Sequence, residues 1–350
     1  MSKLGIGSRS FVTMFTFILG SALFLTACSA PTSPVSSAST SSQTGNSATT
    51  TQPASNASAL KGKITVSGAF ALYPMMVRWA EEFQKINPGV QIDISAGGAA
   101  KGAADALGGL ADIGMISRDV LPEEIAKGGV YVAAAVDAVV PTASAGNPVK
   151  DDLLARGIKK QAFVDIWING KTANWKDIFP EAKTFGKTDL HVYTRSDAAG
   201  AADVWALFLG NKKQEDLQGT GVYGDPGLAE AVRRDPLGIG FNNIGYTYGA
   251  KTRRQVDGLV VIPIDINGNG KIDPEEELYG SLDDLNAAIA KRAYPWPPAR
   301  ELNLLTLREF KGVTGEFVKW VLTEGQKYAP EAGYIPIPKE RAQQELAKIK

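Results

Sequence analysis

Two residue types that carry much of enzyme chemistry are nearly missing from this 350-residue chain, which has one cysteine, Cys28, and one histidine, His191. One cysteine excludes an intrachain disulfide, and its place near the amino terminus argues against a catalytic thiol. One histidine cannot build the usual triad or metal chemistry, and no G-x-S-x-G elbow, H-E-x-x-H pair or P-loop is present. No enzymatic activity is expected. His191 falls within the predicted strand Leu190–Tyr193, where a buried, hydrogen-bonded imidazole is expected. Charge of one sign is also lacking: 37 basic residues face 37 acidic ones, and 35 basic residues remain once Lys3 and Arg9 are set aside. Binding to nucleic acid, which needs a basic field, is therefore not expected.

Long apolar runs are scarce too. Phe11 to Leu25 is shorter than the roughly 20 residues a membrane span needs, and with Lys3 and Arg9 ahead of it the run reads as the apolar region of a secretory signal. It ends in Leu25-Thr-Ala-Cys28, which resembles the lipobox of bacterial lipoproteins, where cleavage leaves a lipidated cysteine as the first residue. The expectation is a signal peptide over 1–27, lipidation at Cys28, and a protein held by lipid on the extracytoplasmic face of the cell membrane, in a periplasm or at the cell surface. Residues 28–60 are rich in Ser, Thr and Ala with almost no large apolar side chains, and read as a disordered tether.

What the chain does contain includes one specific motif. Asp265-Ile-Asn-Gly-Asn-Gly-Lys-Ile-Asp-Pro-Glu-Glu276 fits the EF-hand-like calcium-loop pattern D-x-[DN]-x-[DN]-G-x5-E at every defined position. Asp265, Asn267 and Asn269 would offer side-chain oxygens, Lys271 its carbonyl, Asp273 an oxygen through water, and Glu276 two oxygens, while Gly270 permits the sharp turn. The alternative is a polar Asn-Gly turn without metal. Leu259–Ile264 upstream reads as a strand, so a bound Ca2+ is expected as a structural clip rather than a sensor.

About 290 residues follow the tether, more than one core usually holds, so two lobes are expected. Short apolar strands alternate with amphipathic helical patterns, the mark of an α/β architecture with mainly parallel strands. Ile64–Val66 leads through Gly68–Pro74 into a helix with Met76, Trp79, Ala80 and Phe83 on one face. Val90–Ile94 leads through Gly97–Gly102 into a second helix ending near Gly108, and Ala111–Arg118 is a strand with a polar end. Leu190–Tyr193 leads through Thr194–Gly200 into a helix over about 201–209, with Trp205 on its inner face beside Phe208 and Leu209. Three strand-to-helix turns offer three helix N-termini, whose N–H groups and positive dipole ends suit an anion.

In their order these segments resemble the PstS-type phosphate-binding proteins of ABC transporters. They are Ser67-Gly68 through Tyr73-Pro74, Gly97-Gly98 with Lys101-Gly102, Gly109–Arg118, Thr194–Asp197 with Gly200, Pro236–Tyr246 and Tyr294–Arg300. The resemblance runs from about Lys61 to Pro338. It implies a two-lobed type II periplasmic-binding-protein fold, each lobe a mainly parallel sheet flanked by helices, with two crossing strands as hinge. Lobe I would comprise 61–141 and 297–350, and lobe II 142–296 with the calcium loop 265–276. Capture would be by lobe closure, and the partners a small anion, phosphate first, and the membrane permease of an ABC transporter.

Carried onto this sequence, the resemblance places the ligand against Ala69, Phe70, Ala71 and Leu72, against Ala99 and Ala100, and against Asp112, Arg118, Arg195, Asp197, Ala199, Gly200 and Ala201. Arg195 would supply the planar two-donor fork, its alternative being a salt bridge with Asp197. Asp112 would accept a ligand proton, its alternative being a cap near a strand end. Lys101 could face the cleft or solvent. The family's Ser and Thr hydroxyls are replaced by alanine in these turns, which leaves open a different small ligand on the same fold. A calcium-stabilised sensory or interaction module at the cell surface is a further alternative.

Overall fold

The computed structural model of the chain describes residues 60–183 and 186–349. The expected signal peptide, Cys28 and the tether up to residue 59 lie outside the described residues. Among the described residues no helix is long and apolar enough to cross a membrane.

The chain opens with β1 (Lys61–Gly68), α1 (Tyr73–Ile86), β2 (Gly89–Ala96), α2 (Ala99–Leu107), β3 (Ile113–Ile116) and the short α3 (Pro122–Ala126). It then runs through the long strand β4 (Gly129–Ser144) into α4 (Lys150–Arg156), β5 (Ile158–Lys159), α5 (Lys160–Trp167), α6 (Trp175–Ile178), β6 (His191–Arg195) and α7 (Gly200–Gly210). Next come β7 (Thr220–Val222), α8 (Gly224–Arg234), β8 (Gly238–Asn243), β9 (Leu259–Val261), β10 (Ile264–Asp265) and α9 (Leu282–Ala290). The return strand β11 (Ala299–Leu307), α10 (Gly312–Leu322) and α11 (Lys339–Leu346) complete the fold.

The two-lobed α/β architecture is present, but nine of the strands form one continuous sheet, in the order β2-β1-β3-β11-β4-β8-β6-β7 with β9 also pairing β4, while β5 and β10 pair apart from it. Pairing is parallel at both ends of the path, where β1 joins β2 and β3 and where β6 joins β7 and β8. In the middle β11 runs antiparallel to β3 and β4, and β4 runs antiparallel to β8. The sixteen-residue β4 is therefore shared: Gly129–Ala138 pair with β11 and Val139–Ala143 with β8.

Each half packs helices by the expected spacing. In α1, Met76, Trp79, Ala80 and Phe83 are buried, and the Trp79 indole donates to the Gly325 carbonyl at 2.9 Å. In the other half Trp205 sits in an aromatic cluster, its ring centroid 5.3 Å from Phe163, 5.4 Å from Trp167 and 5.8 Å from Phe241. The strand expected over Leu259–Ile264 is broken at Pro263, which has no N–H for a ladder. Its first part pairs with β4 and its last with β5.

His191 departs from expectation. Its side chain is half exposed, at 49%, and Nδ1 lies 2.7 Å from the Asp235 carboxylate, which also accepts from Tyr193 Oη at 2.8 Å. The imidazole is hydrogen-bonded but not buried, at the first residue of its strand.

Candidate functional site

The three strand-to-helix turns meet. The turn after β1 is tied to β3 by Ala69 N–H donating to the Met115 carbonyl at 2.9 Å. The Gly68 carbonyl accepts from the N–H groups of Gly97 and Gly98, at 2.9 and 3.1 Å, which joins this turn to the start of α2. Gly98 adopts φ 94°, and a Cβ there would lie 2.6 Å from the Ala198 carbonyl, so the entry to α2 abuts the entry to α7. Gly200 is pressed against Ser117 so closely that a Cβ would collide with the Ser117 hydroxyl and backbone. Small residues at these places let three helix N-termini and the end of β3 come together. Beside the junction is a cavity of about 510 Å3 whose lining includes Ala100, Arg118, Ala198, Asp203, Lys213 and Arg300.

Arg195, the last residue of β6, is almost wholly buried, with 1% of its side chain exposed. Nε and Nη2 donate to the two carboxylate oxygens of Asp197 at 2.8 and 2.6 Å, and Nη1 donates to Asp225 at 2.7 Å. Burial disfavours its charge, but Asp225 and Asp197 more than offset this and raise its pKa. The ring of Phe70 lies 5.6 Å from this guanidinium and edge-on to Tyr223, while the Phe70 carbonyl accepts from Tyr246 Oη at 3.0 Å. Gln214 braces the third turn: its amide oxygen accepts from Ala199 N–H at 2.8 Å and its amide nitrogen donates to the Asp197 carbonyl at 2.6 Å. Arg118 grips Glu124 through two bonds of 3.0 and 2.8 Å and lies 3.4 Å from Asp203.

Of the sequence-derived ligand positions, Ala69, Phe70, Ala71, Leu72, Ala99, Ala100, Arg118, Arg195, Asp197, Ala199, Gly200 and Ala201 lie on the segments that meet at this junction. Asp112 does not. It precedes β3, about 16 Å by strand rise from Ser117 at the other end, and its carboxylate accepts from Thr65 N–H at 2.7 Å and Thr65 Oγ1 at 2.8 Å. It is the strand-end cap, and a role in accepting a ligand proton is withdrawn. The Arg195 fork is likewise closed on Asp197 rather than open. Lys101 faces away from the junction, pairing with Asp105 beside Ser67.

Four polar residues behind the junction were not foreseen: Asp137, Asp225, Asn243 and Arg300, all buried. A signal was available for two of them. Asp137 is the lone charge in the apolar run Val130–Val140, and Arg300 stands at the second position of β11, beside Glu301.

The calcium-pattern loop lies elsewhere, between β10 and a one-turn helix at Pro274–Glu276. Asp265 accepts from the N–H groups of Gly268, Asn269 and Gly270 at 2.7, 3.2 and 2.8 Å, and Glu276 from those of Ile266 and Asn267 at 2.9 and 3.1 Å. Asp273 receives the amides of Asn267 and Asn269 at 2.8 and 2.6 Å and an ion pair from Lys271, which together hold its pKa down at about 2. Among the described residues no group of three or more His, Cys, Asp or Glu side chains is gathered as a metal centre.

Residues 38–320 match a PBP superfamily domain. The phosphate-binding protein PstS of Bacillus subtilis is 33% identical over 282 residues, covering 79% of this chain and 81% of that protein. Protein SphX of Synechococcus elongatus is 27% identical over 298 residues, covering 82% of this chain and 81% of that protein. A crystal structure from Clostridium perfringens with bound phosphate superposes with a TM-score of 0.64 at 22% identity, covering 79% of this chain and 100% of that one. An ABC-type phosphate transport receptor from Vibrio cholerae gives 0.57 at 20% identity, with the same coverage of 79% and 100%.

Proposed function

This chain belongs to the PBP superfamily and to its PstS-type substrate-binding proteins, and from that premise we propose that it captures a small anion, phosphate first, and delivers it to the membrane permease of an ABC importer. The observation that carries the reading is the meeting of three helix N-termini with the Ser117-Arg118 turn beside a cavity of about 510 Å3. Helix N-termini present N–H groups that have no intrahelical partner, and their dipoles favour negative charge. Lobe I would be 61–141 with 297–350, lobe II 142–296, and closure would turn on β4, which pairs with β11 in the first and runs on to pair with β8 of the second, and on the return segment that leads into β11. The chain would act outside the cytoplasmic membrane, held there by lipid on Cys28, a reading supported by the Leu25-Thr-Ala-Cys28 tetrapeptide.

One observation favours a second reading. Ala69, Ala71, Ala99, Ala199 and Ala201 are all buried at the junction and bring no hydroxyl to a ligand, so the same fold could hold a small anion other than phosphate. Titration calorimetry with phosphate, sulfate, molybdate and methylphosphonate separates the readings. Phosphate binding tightest is the expected result, and heat from another anion but none from millimolar phosphate would replace the first reading with the second.

A Ca2+ ion in the 265–276 loop is part of the proposal as a clip on lobe II. The support is the twelve-residue pattern together with Asp265 and Glu276, which are almost wholly buried at its two ends.

A further inference from the structure

Among the described residues three arginines are buried: Arg118, Arg195 and Arg300. Arg118 is held by both oxygens of Glu124, and Arg195 by both oxygens of Asp197. Arg300 has no such match. It faces Asp137 directly across the β4–β11 ladder, and one nitrogen, Nη2, makes all its bonds, to Asn243 Oδ1 and, at 3.4 Å, to Asp137 Oδ2. Nε and Nη1 are buried without a protein partner, as is Asp137 Oδ1. Leaving buried donors of a charged group unpaired is costly, and nothing within the fold offsets that cost for Nε and Nη1.

The placement of Arg300 suggests what it serves. It lines the cavity that Ala100 and Ala198, from the entries to α2 and α7, also line. It is linked to the first-predicted cation through a short polar chain, in which Asn243 Nδ2 donates to Asp225 at 2.6 Å and Asp225 accepts from Arg195 at 2.7 Å. Asn243 and Asp137 thus fix one nitrogen of Arg300 and leave two donors for acceptor oxygens that come from outside the chain. Burial works to lower the pKa of Arg300, with Asp137 and Asp225 opposing it, and a bound anion would act in the same sense as those carboxylates.

We propose that Arg300 contacts the bound ligand and sets its class, a small shift of its guanidinium bringing Nε and Nη1, which have no accessible surface as they lie, to a tetrahedral oxyanion in the cavity and replacing hydrogen bonds that the alanines in the turns cannot make. This rests on the reading of the junction as an anion site. A neutral ligand would leave the buried charge unmatched, whereas an oxyanion supplies both charge and acceptors.

The test is calorimetry of the full chain with inorganic phosphate, sulfate and molybdate, for the parent, Arg300→Met and Arg300→Lys. Arg300→Met is expected to weaken the tightest-bound anion at least about thirtyfold, in line with loss of one partner from a desolvated charged contact, and to lower the melting temperature because Asp137 and Asn243 lose their partner. Arg300→Lys should fall between the two, because it keeps the charge but not both donors. Binding by Arg300→Met within about threefold of the parent overturns the inference alone; failure of the parent to bind any of the three anions overturns the anion-site reading and the inference with it. If Arg300→Met does not fold, the 15N signal of Arg300 Nε in the parent, assigned by its absence from Arg300→Lys, decides. It should move when the anion saturates, and an unmoved signal rejects the contact.

Discussion

Arg118 Nε, two residues beyond β3, lies 3.4 Å from the Asp203 carboxylate in the first turn of α7, so a charge from one half of the sheet meets a charge from the other. The rest of the Arg118 guanidinium is committed to Glu124 within its own half. Burial raises the pKa of Asp203, and Arg118 only partly opposes it. Asp203→Asn should therefore change stability by only about 1 kcal/mol, as expected for a long, partly exposed pair, yet shift the chain toward an open form. Small-angle scattering without ligand checks this: a larger radius of gyration in the variant is expected, and an unchanged one would show that the contact does not hold the halves together. Glu124→Gln breaks the buried pair itself and should cost about 3–5 kcal/mol.

Arg195→Ala should act on stability as well as on binding. It strands Asp197 and Asp225, both buried around the vacated guanidinium, and removing one partner of a buried pair costs about 3–5 kcal/mol. Urea unfolding measures this. A loss under 1 kcal/mol, as for a surface pair, would contradict the picture of Arg195 as the centre of a buried network.

How far the site could be read from sequence follows from how local each signal is. The turns at Gly68–Pro74, Gly97–Gly102 and Thr194–Gly200 were legible because strand, small residues and helix follow one another within a few positions. Their meeting was implied by family resemblance, and the close approach of Gly98 and Gly200 explains why those turns are small. Asp112 misled because its role was carried over from the family resemblance, whereas its carboxylate is taken by Thr65 at the far end of β3. The pairing of Arg300 with Asp137 was illegible, since it depends on the register of two strands whose residues are 163 positions apart. His191 shows the same limit in miniature, for exposure at the start of a strand depends on neighbours that local pattern does not contain.

Calcium should stabilise the chain by mass action, raising the melting temperature as free ion exceeds its dissociation constant. Binding would have to displace the Lys271–Asp273 ion pair and turn the Asn267 and Asn269 amides, which now donate to Asp273. Glu276→Gln should abolish the rise and leave anion binding intact. A parent melting curve that is the same in EDTA and in millimolar Ca2+ would reject the metal and leave an Asn-Gly turn closed by its own carboxylates.

Asp137 gives the protein a pH dependence of definite sign. Burial pushes its pKa up to about 7, with Arg300 pulling the other way, whereas in the unfolded chain an aspartate titrates near 3.9. The folded state therefore holds this proton over the interval in which the unfolded state has released it. The stability contributed by Asp137 is full below about pH 4 and is lost as pH rises to about 7, amounting to roughly 4 kcal/mol at about 1.4 kcal/mol per unit. Other carboxylates, such as Asp235 with its depressed pKa, act in the opposite sense at lower pH, so the test is the difference between parent and Asp137→Asn rather than the parent's curve alone. That difference, from urea unfolding between pH 5 and 8, should move in favour of the variant up to about pH 7 and then level off. A difference independent of pH would mean that Asp137 stays ionised in its pairing with Arg300 throughout.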